Sequence, residues 1–252
     1  MLLKVFILSL VLITISIVSF SQGEIVENRM FNRDERTGAF MLTSSGWGLN
    51  FRFGKRIDGT RKTLYDIDFT EIKHPKEEKV TNPNPRYADS RKYIFGKLYY
   101  FYNLKFSYGR QKELFSKFDK GGIAIKYYYG LGANIGLLKP IYYEVVESDP
   151  STGRHIISIE KFSDAIHTIY DIYGKAPFTE GINETKIRPG ISGKFGLSFE
   201  YGETNETINA LEVGTILDFY FSDIQIMAYN PGTKLLFSLF VAYRFGKTYG
   251  SI

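Results

Sequence analysis

The feature that most constrains this chain is a two-residue hydrophobic period sustained far longer than a soluble strand needs. Ile123, Ile125, Tyr127, Tyr129, Leu131, Ala133, Ile135 and Leu137 share one parity, and Ala124, Lys126, Tyr128, Gly130, Gly132, Asn134 and Gly136 hold the other. Alternation of this kind places one set on each face of a β-strand. The pattern returns in Leu98, Tyr100, Tyr102, Leu104, Phe106 and Tyr108, backed by Lys97, Asn103, Lys105 and Ser107. It recurs in Gly193 to Tyr201, with Phe195, Leu197, Phe199 and Tyr201 on one parity, in Leu211 to Phe221, and in Leu235 to Phe245. Two shorter runs, Trp47 to Phe53 and Tyr65 to Phe69, bring the predicted strands to seven.

Strands of a soluble sandwich average about five or six residues and turn a polar face to water. Five of the runs here reach the roughly 9–11 residues that a tilted strand needs to cross a bilayer. Their polar face is also unlike a solvated one, being rich in glycine with single charges among small residues. With 19 Tyr and 21 Phe in a chain of mean hydropathy −0.16, half of each strand is apolar and half is not. The expected fold is therefore all-β, an antiparallel transmembrane β-barrel of eight strands. Its aromatic face meets lipid and its polar face fills the lumen. On this reading Arg52, Lys97, Lys105, Lys126, Lys194 and Arg244 face Asp66, Asp68, Glu200, Glu212 and Asp218 inside the barrel. Interleaved opposite charges can pair where isolated ones are prohibitive, so a packed polar interior is expected in place of a channel of one sign. A secreted soluble β-barrel is the competing architecture.

Met1 to Ser21 reads as a signal peptide, with Lys4, an apolar run from Val5 to Val18 and Ser19-Phe20-Ser21 before Gln22. Residues 22–252 are then the exported barrel, addressed to the outer membrane. Barrels of this kind have an even strand number and longer loops outside, so seven strands require an eighth, for which Glu24 to Phe31 is the nearest candidate. With it, Lys55 to Thr60, Arg110 to Lys120 and Glu203 to Thr207 fall on the periplasmic side. The longer Lys73 to Arg91, Lys139 to Arg188 and Ser222 to Thr233 then fall outside.

The segment 139–188 is too long for plain loop. Ile141 to Glu147 and His155 to Glu160, around Asp149-Pro150-Ser151-Thr152-Gly153, predict a β-hairpin. Phe162, Ile166, Ile169, Tyr170 and Tyr173 recur at helical spacing and predict a short amphipathic helix ending near Gly174 and Pro177. Its stripe either caps the barrel or docks a partner.

Few residues suggest chemistry. The chain has no cysteine and three histidines, His74, His155 and His167. Asp164, His167 and Asp171 would share one face of the predicted helix, a weak candidate for metal or acid–base work. His74 lies in a charged turn beside Pro75. Nucleophile-elbow, zinc-protease and phosphate-loop motifs are absent. The net charge of +5 is scattered among carboxylates and does not form a nucleic-acid footprint.

The Ser-Phe-Ser/Gln export site, the aromatic period-two strands, Lys73-His74-Pro75-Lys76-Glu77, Ile226-Met227-Ala228 and the ending Tyr243-Arg244-Phe245-Gly246-Lys247 together resemble small outer-membrane β-barrel proteins of Bacteroidota. Leu239, Val241, Tyr243 and Phe245 resemble the C-terminal signal read by barrel-assembly machinery. The resemblance implies a barrel family more than an activity. The expected role is non-enzymatic: a structural or partner-binding barrel working through its long loops, without cofactor or metal. Its partners would be outer-membrane lipid, the assembly machinery during biogenesis and another envelope protein, with no nucleic acid. A narrow transport pore or small-ligand barrel is the alternative, and a lipid- or peptide-modifying enzyme is third.

Overall fold

A computed structural model describes residues 33–87, 89–117, 122–148, 155–201 and 207–250. The strands in chain order are β1 (Arg33–Thr43), β2 (Gly46–Arg56), β3 (Arg61–Ile72), β4 (Lys79–Val80), β5 (Tyr93–Ile94), β6 (Tyr99–Phe115) and β7 (Ala124–Pro140). They continue as β8 (Tyr142–Ser148), β9 (His155–Lys161), β10 (Ile172–Lys175), β11 (Lys186–Tyr201), β12 (Thr207–Ile224) and β13 (Thr233–Gly250). Eight of them close into an antiparallel barrel in the order β1-β13-β12-β11-β7-β6-β3-β2. Closure leaves no sheet edge around the wall. It runs through β1 and β13, paired from Arg33↔Gly250 to Thr43↔Phe240.

The eighth strand is thus Arg33–Thr43. The candidate Glu24 to Phe31 lies outside the described residues, as do the expected leader and the hairpin turn at 149–154. The strand pairings put the start of β1 and the end of β13 at the same end of the barrel as Arg56, Phe115 and Tyr201. Ser44, Ile72, Pro140 and Ile224 lie at the other end, from which the three longer connections leave.

Burial follows the predicted parity on every long strand. Leu49, Phe51 and Phe53 of β2, Tyr65, Ile67 and Phe69 of β3, and Phe106 and Tyr108 of β6 are exposed. So are Tyr129, Leu131 and Ile135 of β7, Ile191 and Phe195 of β11, Leu217, Phe219 and Phe221 of β12, and Leu235 to Phe245 at alternate positions of β13. The residues between them point inward and are buried. Glycines make room on that inner face: a Cβ at Gly196 would stand 2.6 Å from the Tyr128 ring, and one at Gly132 2.0 Å from the Phe106 carbonyl oxygen.

Beyond the barrel, β8 and β9 pair from Tyr142↔Lys161 to Ser148↔His155, and β10 joins the other edge of β8. The predicted helix is not formed. Residues 162–171 run as turns, and Ile172 enters β10. The reason is packing: Phe162 and Ile172 are both drawn into one cap core with Tyr93, Ile141, Tyr143 and Val145, which a helix carrying the 162–173 stripe on one face would not allow.

Candidate functional site

The barrel interior is a stack of layers, and its middle layer is a charge network that ties the wall together. Arg52 on β2 donates a bidentate pair of hydrogen bonds to Asp66 on β3, both 2.8 Å, and a third from Nη1 to Glu212 Oε1 on β12 at 2.9 Å. Arg244 on β13 reaches the same Glu212 from Nε at 2.6 Å and from Nη2 at 3.0 Å. Its remaining donors go to Thr37 on β1 at 2.8 Å and Asn50 on β2 at 2.6 Å. Tyr128 on β7 completes Glu212 with a hydroxyl donated at 2.8 Å and lays its ring 4.2 Å from the Arg52 guanidinium. Lys194 on β11 donates to Asp68 at 2.8 Å and stands 3.6 Å from Asp66. Seven of the eight strands meet in this one network. Charge-assisted and bidentate bonds are the strong ones, and here they join strands far apart in sequence.

Adjoining layers continue this filling toward both ends. Towards the termini, Lys126 and Lys117 pair with Glu200, and Lys62 pairs with Glu35. On the other side, Asp218 accepts Lys105 at 2.7 Å, with Asn103 and Asn134 at 3.3 Å. Above Asp218 the polarity ends abruptly. Phe101, Tyr220, Ile72, Leu138 and Ile224 form an apolar plug completed by Ile226 and Met227. The segment carrying those last two residues crosses the mouth: Leu98 N–H donates to the Ile226 carbonyl, Ala228 N–H to Gly96, and Lys97 bridges Met227. Six carboxylates, Glu35, Asp66, Asp68, Glu200, Glu212 and Asp218, face seven cations, Arg52, Lys62, Lys105, Lys117, Lys126, Lys194 and Arg244. The two signs nearly balance and are mutually bonded, the arrangement of a packed polar interior.

Of the eleven predicted lumen charges, ten are brought together. Lys97 is the exception. It lies before β6 begins, in the cap, where it donates to Glu77 at 2.6 Å. β6 begins only at Tyr99, and Lys97 follows directly on the turn at Phe95 and Gly96. Burial pulls the Lys97 ammonium below the ordinary lysine value, and the Glu77 hydrogen bond works against that pull. Nearby, Tyr143 donates to the carbonyls of Ile94 and Lys97 at 2.7 and 2.8 Å, and burial pushes its phenol well up.

The five predicted docking residues scatter. Phe162 is buried in the cap core and Ile169 packs against it. Tyr173 sits edge-on to Tyr87 at 6.2 Å. Ile166 is 72% and Tyr170 59% exposed, and these two alone present large apolar surface. β9 also exposes Ile156, Ile157 and Ile159 and, among the described residues, pairs with β8 alone. The Asp164, His167 and Asp171 cluster does not assemble: among the described residues no group of ligating side chains could hold a metal. His167 instead fixes a turn, its Nδ1 accepting the Ser163 N–H at 3.0 Å and its Nε2 lying 3.3 Å from Glu160. Asp171 accepts the Thr168 N–H and hydroxyl. Replacing His167 with alanine is expected to cost about 1 kcal/mol and to speed amide exchange at Ser163, leaving the barrel intact. Unchanged exchange there would show that the ring does not hold the turn.

No family model and no curated protein sequence matches the chain. Among solved structures it is similar to the Neisserial surface protein A, at 10% identity over 86% of this chain and 96% of that one, with a TM-score of 0.40. It is also similar to the attachment invasion locus protein of Yersinia pestis in complex with sucrose octasulfate, at 8% identity, 87% and 100% coverage and a TM-score of 0.41. The N-terminal β-barrel domain of Pseudomonas aeruginosa OprF follows at 8% identity, 87% and 98% coverage and 0.35. No role is carried from these proteins to this one.

Three groups of site residues escaped the sequence reading. Glu35 and Lys62 lay outside the predicted strands. Asn50, Asn103 and Asn134 were on the polar parity but carry no charge to draw attention. Asn82, whose amide donates to the carbonyls of Tyr170 and Ile172 at 2.8 and 2.9 Å, ties the 73–98 connection to the cap through contacts that only the fold creates.

Proposed function

We propose that this protein is a closed outer-membrane β-barrel, akin to the small barrels its motifs resemble in Bacteroidota, that acts without enzymatic chemistry by presenting its loop cap to a partner. The observation that carries the reading is the division of the wall: outward residues are mostly apolar on the strands other than β1, and inward ones form an ion-paired, hydrogen-bonded filling. An exposed apolar band this continuous is costly in water and favourable in hydrocarbon. The filled lumen favours an anchor over a pore. The exposed Ile166 and Tyr170, with the free edge of β9, are what the cap offers to another chain.

The reading is tested on the mature protein extracted from envelopes. It is expected to fractionate with the outer membrane, to migrate differently on gels before and after heating, and to leave planar bilayers silent. A detergent-independent soluble monomer would overturn the membrane assignment. Steady single-channel steps would move the protein to the pore alternative. Photocrosslinkers at Ile166 and Tyr170 are expected to capture one envelope protein, and the absence of any adduct at both positions would remove the docking role.

A further inference from the structure

The cap end of the wall carries two neighbouring cations, Lys139 and Lys175, that make no ion pair with a carboxylate among the described residues. Other cap cations are paired with carboxylates: Lys97 with Glu77, Arg91 with Glu144 and Lys161 with Glu184. Lys139 and Lys175 have none among the described residues. Lys139 lies directly across from Tyr100 in the β6–β7 register, on the outward parity just above Leu137 and Tyr102. Its ammonium is 5.7 Å from the Tyr100 ring and 4.6 Å from the Phe178 ring, and it donates to the carbonyls of Pro140 at 3.2 Å and Glu180 at 2.8 Å. Lys175, which is exposed, holds its ammonium 5.3 Å from the same Tyr100 ring. The rings themselves continue the lipid-facing surface. Phe69 stacks on Tyr102, Tyr102 on Tyr100, and Tyr100 meets Phe178 at 5.7 Å.

Cation–π contacts moderate the repulsion between two lysines sharing a ring, but they leave the net positive charge in place. In a bilayer, an aromatic ladder that climbs out of the apolar band and ends under two ammonium groups without an ion-paired carboxylate would reach the depth of a lipid phosphate. We propose that Lys139 and Lys175, over Tyr100 and Phe178, seat the phosphate of an outer-leaflet lipid headgroup. The proposal rests on the membrane reading above. Lys175 supplies the accessible charge, and Lys139, held under Phe178, adds its field without having to reorganise.

The test uses the mature protein in nanodiscs doped either with a diphosphorylated glycolipid or with its dephosphorylated counterpart, with retained lipid measured by native mass spectrometry. Wild type is expected to retain the phosphorylated form. Lys139→Gln or Lys175→Gln should each weaken retention about fivefold and the double variant about twenty-five-fold. Lys161→Gln, which removes a cation already paired with Glu184, should change nothing. Glutamine at 139 can still donate to the Pro140 and Glu180 carbonyls, and heat-modifiable mobility confirms that each variant is folded. Equal retention by the double variant, or no preference of wild type for the phosphorylated lipid, would overturn the proposal. Displacement of the lipid by millimolar inorganic phosphate would reassign the site to a free anion and overturn the lipid assignment. Failure of wild type to enter nanodiscs at all would strike the membrane reading, and that is seen before any lipid is counted.

Discussion

Exchange of Glu212 for alanine is expected to destabilise the barrel by about 3–5 kcal/mol, the range for removing one partner of a buried ion pair. This carboxylate is the one group that both network arginines share. Without it, Arg52 keeps its bidentate contact with Asp66, but Arg244 retains only Thr37 and Asn50, two neutral acceptors. Tyr128 loses its acceptor as well. A guanidinium cannot shed its proton to escape burial, so the full desolvation cost is exposed. Urea unfolding in detergent, followed by the fluorescence of the single Trp47 and by heat-modifiable mobility, measures the loss. Glu212→Leu combined with Arg244→Met should recover most of it, since a buried pair replaced by well-packed apolar groups is close to neutral. A single-variant loss below about 1 kcal/mol would mean that water reaches the arginines, and the sealed lumen would have to give way to a hydrated path.

What the sequence disclosed and what it hid follow from the same physics. Long strands were legible because the outward and lumen-facing sides of the wall carry opposite chemistry, so parity on β7, β12 and β13 could be read from polarity alone. β1 defeated that logic. Its inward residues, Glu35, Thr37, Ala39 and Met41, and its outward ones, Asp34, Arg36, Gly38, Phe40 and Leu42, are mixed on both faces, so no period stands out. β10 hid for a related reason: at four residues it is short, and of its two inward positions, Ile172 and Gly174, the second has no side chain to register beside a louder helical spacing. The identity of the lumen charges was visible, but their pairing was not. Which carboxylate Arg244 would choose depends on the stagger of the strands around the closed wall. That stagger brings residue 244 beside 212, 50 and 37 together.

A charge placed on the outer face of the wall should separate a membrane barrel from a soluble one. Val241 on β13 pairs with Val213 on β12 and stands midway along the apolar run Leu235 to Phe245, with 49% of its surface exposed. In water an arginine at such a position would be solvated, and surface changes of this kind stay within about 0.5 kcal/mol. In a bilayer the same side chain at midplane costs about 2–4 kcal/mol, falling to about 0–1 near the interfaces. Val241→Arg is therefore expected to lower stability in lipid vesicles by about 2–4 kcal/mol, whereas Thr233→Arg, at the rim end of the same strand, should lower it by less than about 1. The contrast between the two positions is the decisive quantity, because both substitutions add the same charge and volume to one strand. Equal and small effects would mean that the aromatic face of this barrel meets water.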